Sequence, residues 1–272
     1  MEKTIVITGA SSGIGKATAK RFAQEGWNVI AGMRKPARDT ELSALEHVLV
    51  VQLDVQDPDT IASAIKAGIQ QFGHIDVWVN NAGQGLFGLL ETTPIEKISK
   101  LFEVNFFGAV AAIQAILPHF RARQKGLLVN ISSATGRSTF PLLSAYCASK
   151  FALEGLSEAL SFELASQHIG VKIIEPGMVE THFNQATESN NATTPVPEDY
   201  KGYLKSIIEI YSADTTKPVS AEEAAQVIFE AVTDGTDQLR YTIGKDAAGL
   251  LSGRKSMGDQ EFMDLMRKRF TV

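Results

Sequence analysis

"KTIVITGASSGIGKATAKRFAQEG", Lys3 to Gly26, is the stretch whose reading decides the fold. A β-branched run stops at Gly9, small residues follow, and from Gly13 the apolar positions recur at helical spacing until Gly26. The pattern predicts strand, glycine turn and helix. Gly9, Gly13 and Gly15 carry no side chains at that turn, so the backbone N–H groups there, those of Ser11, Ser12 and Ile14 included, can approach a pyrophosphate at the helix N-terminus. The spacing G-x-x-x-G-x-G differs from the general dinucleotide pattern G-x-G-x-x-G. Taken alone, the turn is also compatible with a tight bend that binds nothing.

The same alternation continues outward from this unit. "WNVIAGM", "HVLVVQLDV" and "IDVWVNNAG" read as strands, and "PDTIASAIKAGIQQFG" as an amphipathic helix between the last two. A long helix from about Pro94 to Arg123, the strand "GLLVNIS", a helix containing "SAYCASKFALEGL" and the strand "GVKIIEPG" follow. Apolar strands alternating with helices imply parallel pairing with both faces covered, and right-handed crossovers lead to a doubly wound α/β sheet. Beyond Pro176 a segment at 182–219, polar at its ends and amphipathic in the middle, interrupts the alternation and reads as a mobile cover for a pocket. A helix at about Ser220 to Thr233, a seventh strand "LRYTI" and a helical tail to Val272 (extension 237–272) complete the chain. No repeat or linker divides it, so residues 1–272 read as one domain.

Composition narrows the function. Of 272 residues, 44% are hydrophobic and 21% charged, as in a globular chain with a substantial core. Twenty-six basic against thirty-one acidic residues give a net charge of −5, which offers no basic field for nucleic acid. Cys147 is the single cysteine, so an intrachain disulfide is excluded. No secretory leader is expected at the N-terminus, and no stretch is expected to approach a membrane span. The reading is a cytoplasmic, soluble protein. No close paired histidines suggest a metal site.

The second strand ends "AGMRKPAR", with Met33 where a ribose-binding carboxylate is expected and Arg34 next to it. A guanidinium can hold a 2′-phosphate bidentately, so the sequence favours NADP(H) over NAD(H), the alternative being that Arg34 and Lys35 are merely solvated. Tyr146 and Lys150 stand four residues apart on one helical face. An ammonium close to a phenol, together with the positive nicotinamide of an oxidised cofactor, is expected to pull the phenol's pKa, ordinarily about 10, downward.

"TGASSGIG", "NNAG" at Asn80 to Gly83, "ISS" at Ile131 to Ser133, Tyr146-x-x-x-Lys150 and "PG" at Pro176 to Gly177 occur in the order and spacing of the short-chain dehydrogenase/reductase family, which the chain resembles over roughly Lys3 to Thr181. The tail, with "RYTIGKDA" and "RKRF", is similar to the steroid and retinol dehydrogenase-like branch of carbonyl reductases. The resemblance implies a Rossmann-type fold of about seven strands. It also implies Tyr146 as general acid/base, Ser133 orienting the substrate oxygen, Lys150 serving tyrosine and nicotinamide ribose, and Asn105 holding a proton-relay water. Around the cofactor it implies Asp54 and the backbone of Val55 at adenine and Asn81, Ala82 and Gly83 at the adenine ribose. At the nicotinamide end it implies Pro176, Gly177, Val179 and Thr181. Asp54 could equally cap a turn, and Asn80 and Asn81 could tie loops together.

Around the reacting carbon the sequence offers Leu86, Phe87, Phe140, Leu142, Leu143, Met178 and Phe183, with Tyr200, Tyr203, Leu204 and Ile207 of the insertion as a cover, although any one of them taken singly reads more readily as core. Such a lining favours an apolar ketone, aldehyde or secondary alcohol. The family's subunits often pair through this helix and the one before it, which implies a homodimer or homotetramer; Phe151 and Gly155 lie on the face turned away from Tyr146, and Cys147 reads as packing. Two alternatives stand beside an oxidoreductase: an NADP(H)-sensing binding protein without turnover, and a sugar-nucleotide epimerase or dehydratase.

Overall fold

In the computed structural model, which describes residues 2–181, 183, 187 and 195–270, seven parallel strands form one sheet in the order β3-β2-β1-β4-β5-β6-β7. The strands are β1 (Thr4–Thr8), β2 (Asn28–Met33), β3 (Val48–Gln52), β4 (Val77–Asn80), β5 (Gly126–Ile131), β6 (Ile169–Pro176) and β7 (Arg240–Ile243). Most of the polar start of the predicted insertion, at 182, 184–186 and 188–194, and the end of the tail at Val272 lie outside the described residues.

Alternate strand residues serve opposite faces, as a pleat requires. Ile5, Ile7, Val29, Ala31, Val77 and Val79 join a core under α1 (Gly13–Gln24) and α7 (Ala221–Thr233). Val6, Ile30, Trp78 and Leu128 join a second core under α2 (Pro58–Phe72), α4 (Gly108–Arg123) and α5 (Ser144–Ala165). Helix ends fall where the sequence signals them: Asp57 caps α2 through Asp59 N–H at 3.0 Å, and Ser220 and Glu223 form a capping box on α7. A third cluster joins Leu89 and Leu142 to Ile207 of α6 (Glu198–Ser212) and to Phe262, Met266 and Phe270 of α9 (Asp259–Phe270), with α8 (Lys245–Ser256) alongside.

The helix expected from about Pro94 to Arg123 is present as α3 (Ile95–Phe102), a π-helical turn Glu103–Phe107, and α4. Together these 29 residues, Ile95–Arg123, are long and apolar enough to cross a membrane by length and composition, which corrects the expectation that no stretch comes near that length. The apolarity is two-sided: Ala112, Ile113, Ile116 and Phe120 are buried against the sheet, whereas Phe107 is 52% exposed on the other side.

One polar cluster fixes the amino ends of the central strands. Asp76, buried, accepts from Thr4 N–H at 2.9 Å and Arg123 Nη2 at 3.0 Å, with His74 Nε2 also at 3.0 Å. Burial alone would raise its pKa, but these partners outweigh it and hold the carboxyl below its ordinary value. A depressed folded-state value stabilises the fold above the unfolded pKa of about 3.9, and that contribution is lost as pH falls through the folded value. Asp76→Asn is expected to cost about 1–3 kcal/mol at neutral pH. Thermal melts from neutral pH to pH 3 should show the deficit narrowing; a constant deficit contradicts the assignment.

Candidate active site

The chain leaves β1 for β2 and β3 on one side and returns to β4 on the other, so the carboxyl ends of β1 and β4 open a crevice at the point where strand order reverses. The glycine turn lies there. Gly9 has φ +67°, and a side-chain carbon on Gly15 would stand 2.4 Å from Asn81 Nδ2 and 2.5 Å from the Gly9 carbonyl. Asn81 donates through Nδ2 to Thr8 O at 2.8 Å and Gly9 O at 3.2 Å, while Thr8 Oγ1 accepts from the N–H groups of Asn81 and Ala82, each at 3.0 Å. The Asn81 side chain is therefore committed to holding the turn. Ser12, at the N-cap of α1, makes no side-chain cap, and the first turn carries no acidic residue. The N-terminus of α1 is thus suited to an anion. Ser11 and Ser12 are exposed beside it, and Ile14 is partly buried.

The turn meets its other predicted partners on this edge. Thr181 Cγ2 lies 3.1 Å from where a Gly13 side-chain carbon would be. Pro176 ends β6, and Val179 is pinned by a parallel bridge to Val219. Asp246, at the start of α8, accepts from Met178 N–H at 2.8 Å and fills the space that the missing side chains of Gly177 and Gly244 leave. It was absent from the sequence reading; the "GKDA" signature of a helix start was its only signal. Arg34, at the end of β2, is exposed and forms no ion pair among the described residues. Asp54 Oδ1 accepts from Gln56 N–H at 3.1 Å, the turn-capping alternative, and Val55 packs on Gly108.

Towards β5, Tyr146 and Lys150 are both buried on α5. Ser133, with Thr135 beside it, faces the phenol, whereas its neighbour Ser132 faces Glu154, as alternation along a strand demands. Ser133 Oγ accepts from Thr135 N–H at 3.1 Å. Burial pushes the Tyr146 phenol up to about 12 despite the hydroxyls of Ser133 and Thr135. Burial here prevails over the pull expected of Lys150. Lys150 Nζ is 5.9 Å from the Tyr146 ring centroid and donates instead to the Ile131 carbonyl at 2.9 Å. Burial in turn pushes Lys150 down to about 8, with Glu154 opposing.

Asn105 sits in the π-helical turn. Its Oδ1 accepts from Gln84 N–H at 2.8 Å, and its Nδ2 donates to Gln84 O at 2.9 Å and Ser149 Oγ at 3.1 Å. Both Nδ2 hydrogens are therefore spent on protein groups, and Oδ1 keeps one acceptor position for the expected relay water. Gly83 packs close by: a carbon there would lie 3.5 Å from Asn105 Oδ1 and 3.8 Å from Lys150 Nζ. Asn80 ties the sheet to α5 through Asn130 and Ser157.

Of the expected substrate-lining residues, Leu86, Leu143 and Phe183 cluster with Tyr146, and the Phe183 ring is 5.9 Å from it. Met178 is exposed. Phe87, Phe140, Leu142, Tyr200, Leu204 and Ile207 belong to the separate cluster with α9, where Ile207 is fully buried, so most of the insertion's apolar residues pack as core. Tyr203 borders a groove of about 620 Å³ with Phe140, Cys147 and Phe151, on the side of α5 away from Tyr146.

The sequence model described as "short chain dehydrogenase" matches residues 3–192. The chain belongs to that family. An uncharacterized oxidoreductase of Schizosaccharomyces pombe is 38% identical over 244 residues, covering 87% of this chain and 99% of the relative. A 3-ketodihydrosphingosine reductase of Bacteroides thetaiotaomicron is 34% identical over 254 residues, covering 93% and 91%. The solved structure of ElxO with NADP bound superposes with a TM-score of 0.75 at 27% identity, covering 92% of this chain and all of that one. This short-chain dehydrogenase is accordingly a nicotinamide-dependent oxidoreductase on a single Rossmann-type sheet, and the uncapped α1 N-terminus with the Gly15 cradle fits the pyrophosphate of such a cofactor.

Proposed function

We propose that this short-chain dehydrogenase interconverts an apolar ketone or aldehyde and the corresponding alcohol with NADP(H), Tyr146 being the general acid/base. The observation that carries this reading is the buried Tyr146 phenol, faced by Ser133 and Thr135, one turn before Lys150 and walled by Leu86, Leu143 and Phe183. The cofactor supplies the hydride chemistry. Tyr146 moves the proton at the substrate oxygen, and the Ser133 hydroxyl donates a hydrogen bond to that oxygen as negative charge develops on it. Lys150 places a cation beside both. The 3-ketodihydrosphingosine reductase among the relatives supports an apolar substrate. Exposed Phe107 on the π-turn before α4, and Phe151 and Phe162 on α5, support pairing with a second copy.

The preference for NADP(H) rests on Arg34, exposed and without an ion pair among the described residues at the end of β2. Charge-assisted hydrogen bonds of about 1.5–3 kcal/mol predict that Arg34→Ala weakens NADPH roughly 10- to 100-fold and NADH hardly at all. Fluorescence titration with both cofactors, alongside NADPH consumption on a panel of aromatic and long-chain ketones, checks this. Equal losses for both cofactors defeat the phosphate clamp; binding without turnover across the panel favours the sensor reading.

A further inference from the structure

A second charged layer lies behind Tyr146 and Lys150. Glu154, one turn beyond Lys150, is buried, as is Glu175 in β6. A buried carboxylate is costly without a cation. Arg240 of the edge strand β7 supplies one: its Nε bonds Glu154 Oε2 at 3.0 Å, its Nη2 bonds Glu158, and it stands 3.7 Å from Glu175. Arg137 and the Thr242 hydroxyl complete Glu175, at 3.3 and 3.2 Å.

Arg240 thus satisfies one oxygen of Glu154. The other, Oε1, and the adjacent Ser132 hydroxyl are buried and complete no well-formed hydrogen bond among the described residues. Both border Gly136, where a side-chain carbon would stand 2.6 Å from Ser132 Oγ, 2.9 Å from Glu154 Cγ and 3.3 Å from the Lys150 carbonyl. Lys150 Nζ donates to the Ile131 carbonyl and lies by the Tyr146 ring, and Glu154, buried four residues further along the same face of α5, is the carboxylate that favours its charged form.

We infer that Glu154 is a positioning residue for Lys150, a buried carboxylate anchored by Arg240 that keeps the lysine an ammonium beside the phenol. The inference rests on the reading of Tyr146 and Lys150 as the working pair. The groups facing Glu154 are Lys150 and Glu158 on its own helix, Ser132 at the end of β5, Glu175 on β6 with Arg137 attached, and Arg240 on β7. Burial pushes Lys150 down to about 8, so the ammonium is lost on the alkaline side, and removing a nearby negative charge moves that loss to lower pH.

Two readouts on the full chain with NADPH test this: the pH profile of kcat/KM, and NMR titration of 13Cε-labelled lysine with the Lys150 signal assigned through Lys150→Arg. Glu154→Gln should move both the alkaline limb and the Lys150 titration down by about one pH unit or more, while Glu154→Asp keeps both near wild type. The Glu154→Gln/Arg240→Gln double variant leaves no orphaned arginine, so it should show the same displacement and carries the test where the single variant fails to fold. A folded variant with a lower Tm and both readouts unmoved overturns the inference. If instead the wild type fails to turn over, or Tyr146→Phe matches it, the reading of the site falls, and the NMR titration still decides the role of Glu154.

Discussion

Tyr146→Phe is expected to lower kcat by about 10²–10⁴, the contribution usual for a positioned acid or base, while NADPH affinity stays within about twofold of wild type. The reasoning starts from burial. Tyr146 is 9% exposed and its hydroxyl faces Ser133 and Thr135, so its removal takes away the hydroxyl that moves the proton, while the Ser133 hydroxyl is left as a hydrogen-bond donor beside the Leu86, Leu143 and Phe183 enclosure. Burial pushes the phenol up to about 12, which favours its protonated form, an acid ready to donate. Carbonyl reduction should therefore tolerate neutral pH better than alcohol oxidation, which needs the tyrosinate and should climb with pH until Lys150 discharges. The variant loses one hydroxyl and little packing, so stability should change by no more than about 1.5 kcal/mol. Stopped-flow turnover and cofactor titration separate the two effects. A kcat within fivefold of wild type removes Tyr146 from the chemistry.

The fold was legible because its elements are long and their punctuation is local. A β-branched run, a glycine break and an apolar helical period are each complete within a dozen residues, and all seven strands sit where those signals place them. The glycine turn was legible for the same reason, whereas Asn81 and Ser133 were singled out through the family resemblance, and Tyr146 and Lys150 through it and their helical spacing. What the sequence withheld are properties of distance. Nothing in "SAYCASKFALEGL" shows that Lys150 Nζ turns to the Ile131 carbonyl, or that burial outweighs its pull on Tyr146. Asp246 is 69 positions beyond Gly177, and Arg240 is 86 beyond Glu154, so only tertiary packing joins them. The insertion stayed ambiguous for a related reason: an amphipathic helix has one apolar stripe, and the sequence does not say whether substrate or α9 covers it. Ile207 went to α9.

Gly15→Ala is expected to be the most damaging single-carbon change at the cofactor end. The new carbon would lie 2.4 Å from Asn81 Nδ2 and 2.5 Å from the Gly9 carbonyl, distances at which something must move. The Gly9 carbonyl belongs to a turn with φ +67° and cannot retreat without opening it, and displacing Asn81 breaks the bonds to Thr8 O and Gly9 O that shape the anion cradle. Overpacking together with a stranded amide costs about 2–4 kcal/mol, against which the entropy saved in the unfolded chain offsets less than about 1 kcal/mol. At roughly 2–4 °C per kcal/mol for a chain of this size, Tm should fall by about 5–12 °C, and NADPH affinity by about 100-fold or more as the N–H groups lose their common aim. Gly249→Ala is the control: it lies in α8 with no atom within 4 Å of the added carbon, so it should leave binding alone and stabilise by up to about 1 kcal/mol. Calorimetry with fluorescence titration reads both variants. If Gly15→Ala binds NADPH within threefold of wild type and melts at the same temperature, the turn has slack that its geometry denies, and the pyrophosphate does not sit on α1.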